Sequence, residues 1–441
     1  MSHADPVITP AQQAIFAVGA FAGLSSSVTG DDPDRATLEL ISTGLRNAAG
    51  TIGTWNVVWG PSVVMQPIGS AVAMNTMYVA QSAANRSQYV IAIAGTNPKS
   101  VLDWIIEDGF VHWQVPWVYA PLEARGAKIA LGTAIGLGIL ETMKPSSAVP
   151  GGGSTLVEFL ATVTRNPVQI SVVGHSLGGA LAPTAALWLA DTQGFRSHWD
   201  PHRNATLSAL PTAGPTAGNS AFAAYSGKKL GARLTPYYNT LDVVPHAWQA
   251  SMLAEIPGIY VPHIPKLPVI ERLVDLALQL SAAGDYTTLP GLTPLPGKFH
   301  DVHIRLHDER MPGRGAQDRG ILHDLKELID LERFLLEVGY QHTTAYDSWF
   351  HFDPSWWPTA AVRLAPPAPS PALLAALASR SATPGDVAQV IHAGAARKLV
   401  IAGALVDAPS GPSDPRGAEI VARVTAELLE HGAASGAGGR G

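Results

Sequence analysis

Residues 168–173 (Val-Gln-Ile-Ser-Val-Val) form a continuous apolar run that stops at Gly174-His175-Ser176-Leu177-Gly178. Residues 179–190 then continue with a helical apolar pattern and no charged side chain. A buried strand that turns tightly into a buried helix needs cover on both faces, which a layered α/β arrangement provides. The same turn constrains chemistry. A serine hydroxyl becomes a competent nucleophile when it projects from a sharp bend toward a base, and glycine on each side is expected because a Cβ there would clash. The helix that follows points its N-terminus at the same place, so the backbone N–H of Leu177 is set to donate to an oxyanion. Pro183 lies inside that helix and removes its bond to Gly179, so a kink or a short first turn is expected.

Residues 89–94 (Tyr-Val-Ile-Ala-Ile-Ala) read as a second buried strand, ending at Gly95. Between the two strands, helical spacing marks 127–143 and 156–164, separated by a Pro-Gly-Gly-Gly break at 150–153. Weaker strands at 207–213 and 233–238 flank a Gly-Pro-Thr-Ala-Gly-Asn loop and a short helix at 220–225. Strands alternating with helices predict an α/β fold with a mostly parallel central sheet and helices on both faces. Residues 247–298 are proline-rich and apolar, with one amphipathic helix at 269–280. Together with 109–150 they read as lid-like insertions in a domain spanning 1–364. A stiff Pro-rich linker at 365–371 leads to a small Ala-rich helical extension at 372–441, whose Gly/Ala tail is expected to be disordered.

The chain has 441 residues, 46% hydrophobic and 15% charged, enough to bury a large core. Lys+Arg 29 against Asp+Glu 35 gives a formal charge of -6 with no long basic block, which argues against a nucleic-acid partner. The absence of cysteine excludes disulfides, thiolate nucleophiles and Cys-ligated metals. Residues 166–190 carry no charge, yet Pro167, Gln169, His175, Ser176 and Pro183 suit a strand, turn and helix better than a membrane span. The apolar run at 14–24 is short and Gly-interrupted, and no secretory signal is recognised. The expectation is a soluble protein, cytoplasmic or exported by a non-classical route, with its oligomeric state left open.

The segment Gly174-His175-Ser176-Leu177-Gly178-Gly179-Ala180-Leu181-Ala182 resembles the nucleophile segment of the class 3 lipases, the fungal-type triacylglycerol lipase family within the α/β-hydrolases. Three further segments match in the family's order. Gly95-Thr96 with Asp103-Trp104 and Asp108 resembles its oxyanion strand. Ala213-Gly214-Pro215-Thr216-Ala217-Gly218-Asn219 with Phe222 resembles the loop after the next strand, and Asp242-Val243-Val244-Pro245 resembles the segment of the triad acid. The resemblance, to bacterial-like members, covers roughly residues 75–350. Ala94 stands where the family usually has Arg, which leaves Asp103 or Asp108 without the expected partner. The resemblance implies an α/β-hydrolase fold and hydrolysis of carboxylic esters, foremost lipid acyl esters at an oil–water interface, through an acyl-enzyme and without metal or organic cofactor. A phospholipase A1 or a short-chain esterase on the same fold stays open, and so does a non-catalytic lipid-binding protein.

In the α/β-hydrolase order the acid follows the serine and the histidine comes last. Asp242 is the sole acidic residue between Asp200 and Glu255 and ends the run 234–241, as at the carboxyl end of a strand. The family resemblance assigns the base to His342, in Tyr340-Gln341-His342-Thr343-Thr344-Ala345-Tyr346, expected on a loop that follows a helix at 324–338 through Gly339. Fifteen histidines are present; His351, then His303, remain alternatives, whereas His246 sits four residues from the acid behind Pro245 and suits the role poorly. The backbone N–H groups of Thr96 and Leu177 are the expected oxyanion donors. His300, His303 and His307 with Asp301 and Asp308 have a spacing compatible with zinc, but read better as a solvated loop. The aromatic residues Trp104, Phe110, Trp113, Trp117 and Tyr119 suit either a lid or the core. Trp349, Phe350, Phe352, Trp356 and Trp357 suit core packing.

Overall fold

The computed structural model describes residues 5–28, 30–65, 73–94, 111, 113–120, 122–195, 198–300 and 318–358. Helices α1 (Pro10–Ala20) and α2 (Pro33–Ile52) open the chain, and each starts on a side-chain cap. Thr9 and Asp32 accept from the backbone N–H groups of Gln12 and Arg35, and a proline occupies the first turn, where its missing N–H leaves no gap. Strands β1 (Trp55–Met65), β2 (Ala73–Ser82) and β3 (Gln88–Ala94) follow. A short pair, β4 (Gln114–Pro116) and β5 (Lys128–Ala130), leads to α3 (Leu131–Thr142) and α4 (Leu156–Val163). Next come β6 (Val168–His175), α5 (Leu177–Thr192), β7 (Ala205–Thr212), α6 (Ser220–Leu230) and β8 (Tyr237–Asn239). The remainder is α7 (Ala250–Leu253), α8 (Pro268–Ser281), β9 (Thr293–Leu295), α9 (Asp318–His342) and α10 (Thr344–Trp349).

The central sheet has the order β1-β2-β3-β6-β7-β8-β9. Its first two pairings are antiparallel, and the four from β3 to β9 are parallel, so the sheet is mostly parallel as expected. Both faces are buried, and the side chains divide by the two-residue period of a strand. Tyr89, Ile91 and Ile93 of β3 and Ile170 and Val172 of β6 join one core with Leu140, Leu160, Trp188 and Phe222 from α3 to α6. Val90, Ala92 and Val173 point to the other, with Phe16, Phe21, Ile41 and Leu45 from the N-terminal segment and Tyr346, Phe350, Phe352 and Trp356 from the end of the described chain. Phe16 and Phe350 stack at 4.2 Å. A third cluster, around Val243, Trp248, Tyr260, Leu273 and Phe334, gathers residues 247–298 against α9, with Leu177 at its margin.

Several expectations change in the structure. Residues 128–130 of the expected 127–143 helix are strand β5, because they pair with β4. The strand expected over 233–238 contracts to Tyr237–Asn239, since Pro236 has no N–H for the ladder. Helix α5 begins at Leu177, two residues before the expected 179, and continues past Pro183 to Thr192. Trp117 and Tyr119 are buried in the core, where the Tyr119 hydroxyl meets the Glu141 carboxylate and the Trp117 indole donates to Asp191 Oδ2 at 2.8 Å. Trp104 and Phe110, the linker 365–371 and the extension 372–441 lie outside the described residues.

Candidate active site

Strands β3, β6 and β7 deliver their carboxyl ends in register. Ala94 of β3 pairs with His175 of β6, and His175 with Thr212 of β7, while β8 extends beyond them, its first residue Tyr237 pairing with Thr212. In open parallel sheets this edge is where ligands bind. Ser176 follows β6 with φ 62° and ψ -130°, and α5 begins at the next residue. At its first residue the turn leaves no room for a side chain: a Cβ on Gly174 would strike the carbonyl of Gly178. The second close approach falls at Gly179, where a Cβ would lie 2.8 Å from the Gly214 nitrogen, besides colliding with the Thr212 carbonyl. A serine at a helix start ordinarily caps the first N–H groups. Ser176 makes no such bond, and its hydroxyl faces outward from the helix.

That hydroxyl meets His342, with Oγ 2.9 Å from Nε2. On the other side of the ring, Nδ1 lies 2.9 Å from Oδ2 and 3.1 Å from Oδ1 of Asp242. Carboxylate oxygens accept, so the proton sits on Nδ1 and leaves Nε2 free to accept from the serine. Asp242 is fully buried and His342 is 5% exposed, so water competes little for these bonds. The remaining lone pairs of Asp242 are also used: the Val244 N–H donates to Oδ1 at 3.0 Å, and the Tyr346 hydroxyl donates to Oδ2 at 2.9 Å. Burial, then the negative charge of Asp242, holds the Tyr346 hydroxyl well above the usual phenol range, so it stays protonated and remains a donor.

The structure thus brings Ser176, His342 and Asp242 together, and it corrects their setting. His342 is the last residue of α9 rather than a loop residue, because the helix continues through Gly339. Asp242 lies in a turn beyond β8, closed by its own bond to Val244. His246 instead directs Nδ1 at the main-chain carbonyl of Asp242, at 2.7 Å. His351 is exposed, on the turn that follows α10. Leu177 is the first residue of α5, where an N–H has no partner within the helix. Thr96, Asp103, Asp108, His303, His307, Asp301 and Asp308 lie outside the described residues. His300 stacks on Tyr340 at 3.8 Å, and among the described residues no group of three His, Asp or Glu is arranged to hold a metal. No described helix is long and apolar enough to cross a membrane.

Three polar residues of the site carried no role in the sequence reading. Tyr346 stood in the quoted segment, four residues after His342, but nothing in the sequence ties its hydroxyl to an acid 104 positions away. Asn239 donates from Nδ2 to the Gln341 carbonyl at 2.9 Å and to Gln341 Oε1 at 2.6 Å. His175 places Nε2 2.7 Å from the His342 carbonyl.

The model of the family "Lipase (class 3)" matches residues 90–252. Among solved structures, M37 lipase is 30% identical at a TM-score of 0.64, with 78% of this chain and 92% of that chain covered. Lipase II from Rhizopus niveus is 20% identical (TM-score 0.38; 56% of this chain, 78% of that one). Lip2 lipase from Yarrowia lipolytica is 17% identical (TM-score 0.35; 56% and 76%). No curated protein matches.

Proposed function

The chain belongs to the class 3 lipase family and is a carboxylic-ester hydrolase of the α/β-hydrolase fold, and on that premise we propose that it cleaves acylglycerol esters through an acyl-enzyme on Ser176. The observation that carries the reading is the 2.9 Å contact between Ser176 Oγ and His342 Nε2, with Nδ1 of the same ring on Asp242. In this mechanism Ser176 Oγ attacks the ester carbonyl as His342 Nε2 takes its proton. Asp242 holds the ring with Nδ1 protonated and stabilises the positive charge that forms. The developing oxyanion accepts from the Leu177 N–H at the start of α5 and, on the family resemblance, from Thr96. Removing one such donor typically costs about 2.7–4 kcal/mol of transition-state stabilisation. The imidazolium then returns its proton to the leaving alkoxide, and a water deprotonated by the same ring releases the fatty acid.

An oil–water interface as the place of reaction is supported by the segment after α7. There Val261 is 50% exposed and Pro262 is exposed, while the neighbouring Tyr260 donates to the Leu241 carbonyl beside the acid at 3.0 Å. The test is hydrolysis of p-nitrophenyl esters from C2 to C16, above and below their solubility, by the wild type and Ser176→Ala. Activity that rises with long chains or at an interface and vanishes in the mutant is expected. Mutant-sensitive activity confined to short soluble esters would assign an esterase instead. No hydrolysis of any ester, with no organophosphorus labelling of Ser176, would return the lipid-binding alternative.

A further inference from the structure

We infer that His175, the residue before the nucleophile, is a positioning residue for His342, holding the base by its main chain. The inference rests on the reading in which His342 is the general base.

His342 ends α9, and the last carbonyls of a helix have no partner within it. Here side chains from the carboxyl edge of the sheet meet two of them. Asn239, at the end of β8, donates to the carbonyl of Gln341, and His175, at the end of β6, lies 2.7 Å from the carbonyl of His342. A carbonyl oxygen can only accept, so Nε2 of His175 carries a proton. In the neutral ring Nδ1 is then an acceptor, and the Thr212 hydroxyl, 3.1 Å away, supplies the donor in place of its longer 3.3 Å bond to the Gly174 carbonyl. Thr212 is the register partner of His175 across β6 and β7 and is 1% exposed, so the ring is oriented from within the sheet. It also lies against the machinery itself, 4.9 Å from the His342 ring and 5.0 Å edge-on from Tyr346.

The consequence is a direct link between two parts of the site that arrive 166 residues apart. The bend that presents Ser176 and the helix end that presents His342 share one side chain, adjacent to the first and bonded to the second. A shift of α9 along its axis would pull Nε2 of His342 away from Oγ of Ser176, and the His175 bond opposes it. A misplacement of about 1 Å between reacting groups can lower a rate by about 100-fold.

Two polar replacements separate this role from mere support of the fold. Gln places its side-chain amide near the position of Nε2, and so keeps a donor for the His342 carbonyl. Asn is one methylene shorter, reaching the position of Nδ1, so it keeps the Thr212 contact and loses the donor for the His342 carbonyl. For His175→Asn, kcat on a p-nitrophenyl ester is expected to fall about 10- to 100-fold with KM within about twofold, and organophosphorus inactivation of Ser176 to slow in parallel. For His175→Gln, kcat is expected within about threefold of the wild type, at a similar melting temperature. Equal kcat in the two variants, whether high or low, would overturn the inference, as would Asn outperforming Gln. His342→Ala runs beside them: if it stayed as active as the wild type, the general-base reading itself would fall, whereas an inactive His342→Ala with equal Asn and Gln variants sinks the positioning role alone.

Discussion

Ser176 occupies backbone geometry that a side chain rarely takes, and the arrangement serves its hydroxyl. With φ 62° and ψ -130° it turns away from the helix N–H groups it could cap and toward His342. Non-glycine residues in such regions are strained by about 1–3 kcal/mol. Ala is ordinarily the more stable choice over Gly, but here the order should reverse. Ser176→Gly is expected to unfold at higher urea than Ser176→Ala, by about 1 kcal/mol, both lacking the bond to His342. Ala equal to or above Gly would show that the turn is not strained. Tyr346→Phe removes one donor from a buried carboxylate and the acceptor for the Asn239 N–H. It should lower stability by about 2 kcal/mol in urea unfolding and reduce kcat. An unchanged midpoint and rate would mean that Asp242 does not depend on it. Of the three residues that the structure brings together, Ser176 is legible from its local Gly-His-Ser-Leu-Gly pattern, Asp242 from its place in the chain order, and His342 chiefly from the family resemblance. Those that brace them are not: Tyr346, Asn239 and His175 act on partners about 100 or more positions away, and no local pattern reports such a pairing.

Among the elements, α5 approaches the loop after β7 so closely that backbone lies on backbone. A methyl group at Gly179 would crowd the nitrogen and Cα of Gly214, so Gly179→Ala must separate helix from sheet. The expected loss is about 1–3 kcal/mol in urea unfolding, accompanied by slower turnover; a variant as stable as the wild type would show that the helix can slide without penalty. Elements with uninterrupted apolar runs, β3, β6 and α5, were read correctly because burial on both faces leaves that signature. Strand β1 is not apparent from the sequence, since Gly60-Pro61 inside it has the composition of a turn. The edge position explains how the strand survives them: among the described residues β1 pairs only with β2, and its register shifts between Trp59 and Ser62. The end of α9 was misplaced for a related reason. Gly339 has the look of a stop, but carbonyls past it find donors on β6 and β8, so the helix extends to His342.

At the scale of the whole molecule, the two ends of the described chain meet, since α1 packs on the aromatic residues after α10 across the same face of the sheet. The interior this creates keeps several phenols out of water. Burial raises the pKa of Tyr78, and burial with nearby carboxylates raises that of Tyr260 and Tyr346, all above the ordinary value of 10.0. A raised acid favours folding while the unfolded phenol is still protonated. The contribution is therefore complete below about pH 10 and is lost as pH climbs beyond it, by about 1.4 kcal/mol per pH unit for each such tyrosine. Absorbance at 295 nm should accordingly rise in two stages, the second coinciding with loss of far-UV ellipticity. A single stage completed in the folded protein would contradict the burial of these phenols. The distance in sequence between Ser176 and His342 has a temporal meaning as well. At about 5–20 residues per second, a ribosome finishes the bend that bears the serine roughly 8–33 s before it adds the histidine. On the proposed mechanism the nascent chain carries the nucleophile without its base through that interval, so Ser176 stays an inert hydroxyl until His342 has been added and seated against it.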